Sequence, residues 1–209
     1  MKTKEKVNIV LPSPNTDNKQ VIKYLTKKRC IDPELIAGLI KEGYLYQDTK
    51  GNCVFVGFTD NKEVGHISLR AANVKSKRRI DVPGSDKSYS FSLQGTSETV
   101  NVFESTIDLL SFITMFRNEP GIGKDGFVSL GGMGRQALRR YLANNSSVKC
   151  IRVCTDNDEA GERAAKMISK EFSKKYRILR LRPHHKDFNE DLCCGLKHGR
   201  IRKHVTEVQ

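Results

Sequence analysis

VKCIRVCTDNDEAGERAAKMISKEF, residues 148–172, decides the fold. Its opening, VKCIRVCT (148–155), is a largely apolar run of strand length. Asp158 to Phe172 then reads as a helix, with Ala164, Ala165, Met167 and Ile168 available to pack. The same alternation extends outward. Upstream, TVNVF (99–103) is a strand, STIDLLSFITMF (105–116) an apolar helix, GFVSL (126–130) a strand and RQALRRYLA (135–143) a helix. Downstream, YRILRL (176–181) is a last strand. Strands alternating with helices of this length predict an α/β fold: a parallel sheet with helices on both faces.

Ligands of such sheets collect beyond the carboxyl ends of the strands. Glu104 stands there after VNVF, Asp156 and Asp158 after IRVCT, and Asp187 and Asp191 a short loop after YRILRL. Carboxylates brought together raise one another's pKa, and a divalent cation relieves the conflict. An oxygen-only donor set favours Mg2+ or Mn2+ over zinc. Single residues have plainer readings: Glu104 as a helix N-terminal charge, Asp156-Asn157-Asp158 as a capping turn. A calcium loop starting at Asp156 fails, because Ala160 and Met167 occupy its fifth and twelfth positions.

Four segments, in order, resemble the Toprim domains of bacterial primases. FES (103–105), with Asp108 in the helix behind it, is similar to the first motif, a Glu ending the first strand. TDNDEAGERAA (155–165) resembles the D-x-D motif in its primase form. VSLGGMGRQAL (128–138) sits where primases carry a strand ending in Ser-Leu-Gly, and KDFNEDL (186–192) resembles the third motif of phage and mobile-element primases. Upstream, NCVFVGFTDNKEVGHISLRA (52–71) and VPGSDKSYSFSL (82–93) are similar to the subdomain preceding Toprim, with Arg70 and Lys87 as the matching basic residues. The whole resembles primase-like proteins of plasmids and conjugative elements, in which an uncharacterised domain precedes Toprim.

The polar, proline-containing start suggests a flexible lead-in over 1–17 and the basic end a tail over 196–209, while the resemblance implies a smaller α+β subdomain over 18–96 and the Toprim domain over 97–195. It also implies roles. Glu104 would be the general acid/base or a metal-linked ligand, Asp156 and Asp158 would hold Mg2+ (or Mn2+), and Asp187 and Asp191 would complete or extend the site. Asp108, one helical turn beyond Glu104, reads either as facing the site or as a solvated helix residue.

Within the smaller subdomain, residues 18–42 read as helical, with Val21, Ile22 and Leu25 on one face, a break at 30–33 and Asp32 as N-cap before Pro33. YLYQDTKGNCVFVGF (44–58) reads as strand, turn, strand, and VGHISLRA (64–71) as a third strand.

Basic residues outnumber acidic ones by 37 to 24, a formal charge of +13 that points to a polyanionic partner. Lys75, Lys77, Arg78 and Arg79, with Arg70 and Lys87, are the candidates for gripping a nucleic-acid backbone, and Lys186 for a phosphate or nucleotide. Gly131, Gly132 and Gly161 would let backbone approach a phosphate or the sheet, or serve as ordinary turn glycines. Tyr89 and Phe91 would stack on bases or face inward from one strand side. The six cysteines form no CxxC pair; Cys193, Cys194 and His198 lack the partner pair that zinc needs, and Cys150 and Cys154 read as core. No apolar run approaches the roughly 20 residues of a membrane span, so a soluble, cytoplasmic protein is expected.

The function expected from the resemblance is a nucleotidyltransferase making short RNA primers on single-stranded DNA for a mobile element. Its partners would be single-stranded DNA and nucleotides, with a helicase or zinc-binding module on another chain. A Toprim nuclease and a non-catalytic nucleic-acid-binding accessory are the alternatives. A pure binder has no need to crowd anions against a polyanion, which favours catalysis.

Overall fold

A computed structural model describes residues 8–72, 79–132, 134–198 and 205–207. Helix α1 (Lys19–Lys23) runs into one wide turn over Tyr24–Lys28, and α2 (Pro33–Lys41) follows. Asp32 caps α2, its Oδ1 accepting the Glu34 N–H at 3.1 Å, with Pro33 at the first helical position. Val21 and Leu25 are buried, but Ile22, expected beside them, is 39% exposed. Neighbouring residues diverge by about 100° around a helix axis, so Ile22 leaves the face that positions i and i+4 share.

Strands β1 (Leu45–Gln47), β2 (Asn52–Phe58), β3 (Val64–Ala71) and β4 (Arg79–Asp81) form an antiparallel sheet in that order. Residues 12–15 do not form the flexible lead-in that the sequence suggests. The Asn15 N–H donates to the Gln47 carbonyl at 2.8 Å, the Thr49 N–H to Ser13 at 3.0 Å, and the Tyr46 hydroxyl to Pro12 at 2.8 Å.

The second sheet contains β5 (Ser92–Leu93), β6 (Thr99–Phe103), β7 (Gly126–Ser129), β8 (Cys150–Val153), β9 (Arg177–Leu181) and β10 (Val205–Glu207). Its order is β10-β9-β8-β6-β7-β5, with β9, β8, β6 and β7 parallel and both edge strands antiparallel. Two edges differ from the expected boundaries. β5 comes from the segment assigned to the smaller subdomain, and β10 from the segment expected to be a tail.

Helices α3 (Thr106–Phe116), α4 (Gln136–Asn144), α5 (Glu159–Phe172) and α6 (Phe188–His198) cover this sheet. One core packs α4 and α5 on Val100, Val102, Val128, Ile151 and Val153. Another packs α3 and α6, through Phe112, Phe116, Phe188 and Leu192, with Phe103, Phe127 and the apolar residues of α1 and α2. Helices therefore lie on both faces, and one core runs through both parts of the chain. Phe91 is buried in it, which excludes base stacking there, while the Tyr89 ring is covered by Arg140, whose Cζ lies 3.7 Å from the ring centroid. Met167 is 40% exposed rather than packed. Among the described residues no helix is long and apolar enough to cross a membrane.

The strand order has a direct consequence. From β6 the chain moves to β7 on one side, then crosses back to β8 on the other and continues outward to β9. The crevice between the carboxyl ends of β6 and β8 is thus the topological switch point, where open α/β sheets bind ligands.

Two strand glycines seat the turn that precedes Phe91. A Cβ at Gly57 would lie 1.7 Å from the Tyr89 carbonyl oxygen, and one at Gly65 would meet the Tyr89 side chain at 2.6 Å. Because the Tyr89 carbonyl is backbone, Gly57→Ala should cost about 1–3 kcal/mol. Urea unfolding measures it, and an unchanged midpoint would contradict this packing.

Candidate metal centre

Glu104 follows the last residue of β6 directly, and Asp156 lies just beyond β8, so both reach the switch-point crevice. They are joined through backbone: the Asp156 N–H donates to Glu104 Oε1 at 3.2 Å. Asp158 is the N-cap of α5, its Oδ1 accepting the Gly161 N–H at 2.9 Å. Asp187 precedes α6 and its Oδ1 accepts the Glu190 N–H at 2.7 Å.

Asp108 belongs with them. Ser105 caps α3 and its hydroxyl donates to Asp108 Oδ2, while Oδ1 accepts the Asn189 N–H at 3.2 Å. The residue is 7% exposed, so it is not a solvated helix acid. The Ser-x-x-Asp spacing of a capping box was the available signal for the turn, but only α6 packing on α3 explains the burial.

Asp191 stands apart. Its two oxygens accept the His184 and His185 N–H groups at 2.6 and 2.7 Å, and its Oδ1 lies 2.8 Å from His185 Nδ1. Asp191 thus fastens the loop before α6, while Asp108 lies against the cluster.

The electrostatics follow from this crowding. Burial, then the charges of Asp108, Glu104, Asp187 and Asp158, pushes Asp156 up to about 8. Burial, reinforced by Asp187, lifts Asp108 to about 6 against the hydrogen bonds from Ser105 and Asn189. Glu104 is raised too, chiefly by burial; the Asp156 amide, Arg180 and Arg79 pull the other way. No described residue donates a hydrogen bond to the Asp156 carboxylate. Five neighbouring carboxylates, one of them without a donor among the described residues, make a set of hard oxygens of the kind a divalent cation relieves. Among the described residues, no three such side chains converge tightly enough to ligate one ion on their own. Oxygen donors of this kind suit Mg2+, which keeps several waters and takes one or two carboxylates plus phosphate oxygens.

Basic groups border the crevice. The Arg79 guanidinium bonds the Gly131 carbonyl, and Lys87 Nζ lies 3.5 Å from the same oxygen and 3.0 Å from Asp81. Arg70 lines a small cleft with Arg79, Ser105, Ser129 and Gly131. Lys186 is exposed, and its carbonyl accepts the Asn157 N–H at 2.8 Å. Lys75, Lys77 and Arg78 lie outside the described residues.

Gly131 and Gly132 have φ of 63° and 127°, which explains glycine at both positions. Gly161 serves a different approach from the one to phosphate: a Cβ there would lie 2.0 Å from the Asp156 carbonyl oxygen. Two contributors had no motif to mark them. Arg180 lies under the Asp156 loop, and Asn189 bonds the Asp108 carboxylate, Ser111 and Arg29 together.

Residues 101–192 match a family model described as Toprim-like, and residues 23–97 one described as a protein of unknown function (DUF3991). The chain thus carries a Toprim-like domain behind a DUF3991 unit. The uncharacterized protein pXO2-78 of Bacillus anthracis is 26% identical over 153 residues, 66% of this chain and 43% of that protein. This chain therefore spans less than half the length of that curated relative. The primase fragment of the bacteriophage T7 primase-helicase protein superposes with a TM-score of 0.56 at 22% identity, over 82% of this chain and 69% of that one. A DNA primase domain from Pseudomonas aeruginosa gives 0.51 at 16%, over 94% and 65%, and the Aquifex aeolicus primase 0.51 at 18%, over 93% and 51%. At these identities the likeness is one of fold.

The raised Asp156 acid has a signed consequence. Its ordinary value is 3.8 and its folded value about 8, so folding takes up a proton between them and stability falls as pH rises through that window. Asp156→Asn should stabilise the metal-free protein at pH 8 by about 1–3 kcal/mol, allowing for solvent screening at this half-buried site. The gain should vanish below pH 4. Thermal unfolding in chelator measures it, and equal stability of the two proteins at pH 8 would contradict the crowding.

Proposed function

We propose that this chain is a primase-like Toprim nucleotidyltransferase that makes short RNA primers on single-stranded DNA with Mg2+ or Mn2+. The observation that carries this reading is Asp156 beside Glu104 at the switch point of a primase-type sheet, with the charges of Asp158 and Asp187 close enough to act on Asp156, and with Arg79 and Lys87 on the border. Glu104 and Asp156 would hold the cation, with Asp158 and Asp187 beside them. When bound, the cation supplies charge neutralisation at phosphate oxygens and orientation of the attacking hydroxyl.

The chain's own residues do the rest. Glu104, half-buried and held by that burial above the usual carboxylate range, is suited to take the proton of a ribose hydroxyl. Arg79 and Lys87 are poised to bind phosphate, with Arg70 in the adjoining cleft. Lys75, Lys77 and Arg78 would extend that grip, and exposed Lys186 would meet the incoming nucleotide. Gly131 and Gly132 bring bare backbone to the same rim. The template would be single-stranded DNA, the setting cytoplasmic and the role replication of a mobile element. A helicase or zinc-binding module on another chain would supply unwinding or template reading; the T7 and Aquifex relatives carry such parts within their own proteins.

Purified protein mixed with single-stranded DNA, four ribonucleotides and Mg2+ or Mn2+ should yield short RNAs on a sequencing gel. An Asp156→Ala, Asp158→Ala variant should lose at least about a hundredfold of that synthesis, as expected when a metal's carboxylates are removed. Cut template without synthesis would replace the reading with a nuclease. DNA binding without either reaction would overturn catalysis by this chain.

A further inference from the structure

Arg180 is the largest fully buried side chain among the described residues, with 1% of it exposed. It sits on β9, directly under the loop that carries Asp156 and Asp158. Its Nη1 lies 3.2, 3.0 and 3.1 Å from the carbonyl oxygens of Val153, Thr155 and Leu181. Its Nη2 donates to the Asp156 carbonyl at 3.0 Å and to Glu162 Oε1 at 3.3 Å. A guanidinium stays charged in proteins, so its burial calls for acceptors such as these around its two terminal nitrogens.

The acceptors matter for what lies on the other side of each peptide. The unit whose carbonyl (Thr155) faces Arg180 is the unit whose N–H (Asp156) donates to Glu104. The next unit gives its carbonyl (Asp156) to Arg180 and its N–H (Asn157) to the Lys186 carbonyl, one residue before Asp187. One side chain thus turns two successive peptides so that their N–H groups reach the segments bearing Glu104 and Asp187. Glu162, in the first turns of α5, ties the same guanidinium to the helix that Asp158 caps.

We propose that Arg180 is the positioning residue of the metal centre: by gathering the Thr155 and Asp156 carbonyls, it aims the Asp156 amide at Glu104 and holds the acid-bearing segments in one fixed relation. This rests on the metal-dependent reading above. Lysine cannot substitute, because a single ammonium lacks the planar fork that spans acceptors on both sides. A purely structural counter-ion would affect stability alone, whereas a positioning residue sets the cation affinity as well.

The test uses Arg180→Lys and Arg180→Met in the full chain, with Leu142→Ala in α4 as a core variant that makes no hydrogen bond to the loop. Mn2+ binding is followed by electron paramagnetic resonance, and exchange of the Asp156 amide by NMR, alongside thermal unfolding. Both Arg180 variants should bind Mn2+ at least tenfold more weakly and exchange the Asp156 amide at least tenfold faster. Leu142→Ala should lower Tm and change neither. If Arg180→Met does not fold, Arg180→Lys carries the comparison. Mn2+ affinity within twofold of wild type with the amide still protected overturns the proposal. If the wild type takes up no Mn2+, the metal reading falls; Arg180 is then judged on the amide alone, whose faster exchange supports its positioning role and whose unchanged exchange sinks it.

Discussion

Glu104, Asp108, Asp156, Asp158 and Asp187 share one end of a parallel sheet, and their burial, together with the repulsion among them, is the constraint around which the neighbouring chain is organised. The protein relieves it only in part. Asp108 is dressed by Ser105 and Asn189, Asp187 by the Glu190 amide and Glu104 by the Asp156 amide, while Asp156 receives no donor among the described residues. The cost is carried by the apolar cores on both faces of the sheet, which hold the strand ends against that repulsion.

The surrounding architecture makes the arrangement rigid. From below, Arg180 takes up the loop carbonyls; leaving such a guanidinium without partners would cost several kcal/mol, on the order of a broken buried ion pair. From the side, Asn189 bonds to Arg29, just past the wide turn over Tyr24–Lys28, and to Ser111 and Asp108 in α3. Asp32 adds a second tie across the same seam, its N–H donating to the Thr114 hydroxyl at 3.1 Å and its carboxylate pairing with Arg117. The smaller sheet brings Arg70, Arg79 and Lys87 to the rim of the acidic crevice. The two segments therefore share one core and one site.

Much of this is legible in the chain itself. The strand–helix alternation from residue 98 gives the parallel sheet, and Glu104, Asp156 and Asp158 are readable because each follows an apolar strand. What resists reading depends on contacts distant in sequence. Asp108 and Asp191 look equivalent as acids near a motif; packing of α6 on α3 buries the first, and the loop at His184 and His185 claims the second. Arg180 is one basic residue in a basic chain until the β8–α5 loop folds over it. Ile22 and Met167 are apolar residues left half outside, and residues 12–15 are polar and proline-containing yet lie along β1. Patterning marks which segments are strands and helices, but it does not say which carboxylate will find a donor.

The central claim is that these acids form a cation site at the β6–β8 crevice. Anomalous diffraction from crystals grown with MnCl2 addresses it most directly. The account predicts an anomalous peak within coordinating reach of Glu104 and Asp156, lost when Asp156 is replaced by Asn. Ordered, unpeaked density at the crevice in Mn2+-saturated crystals would contradict it.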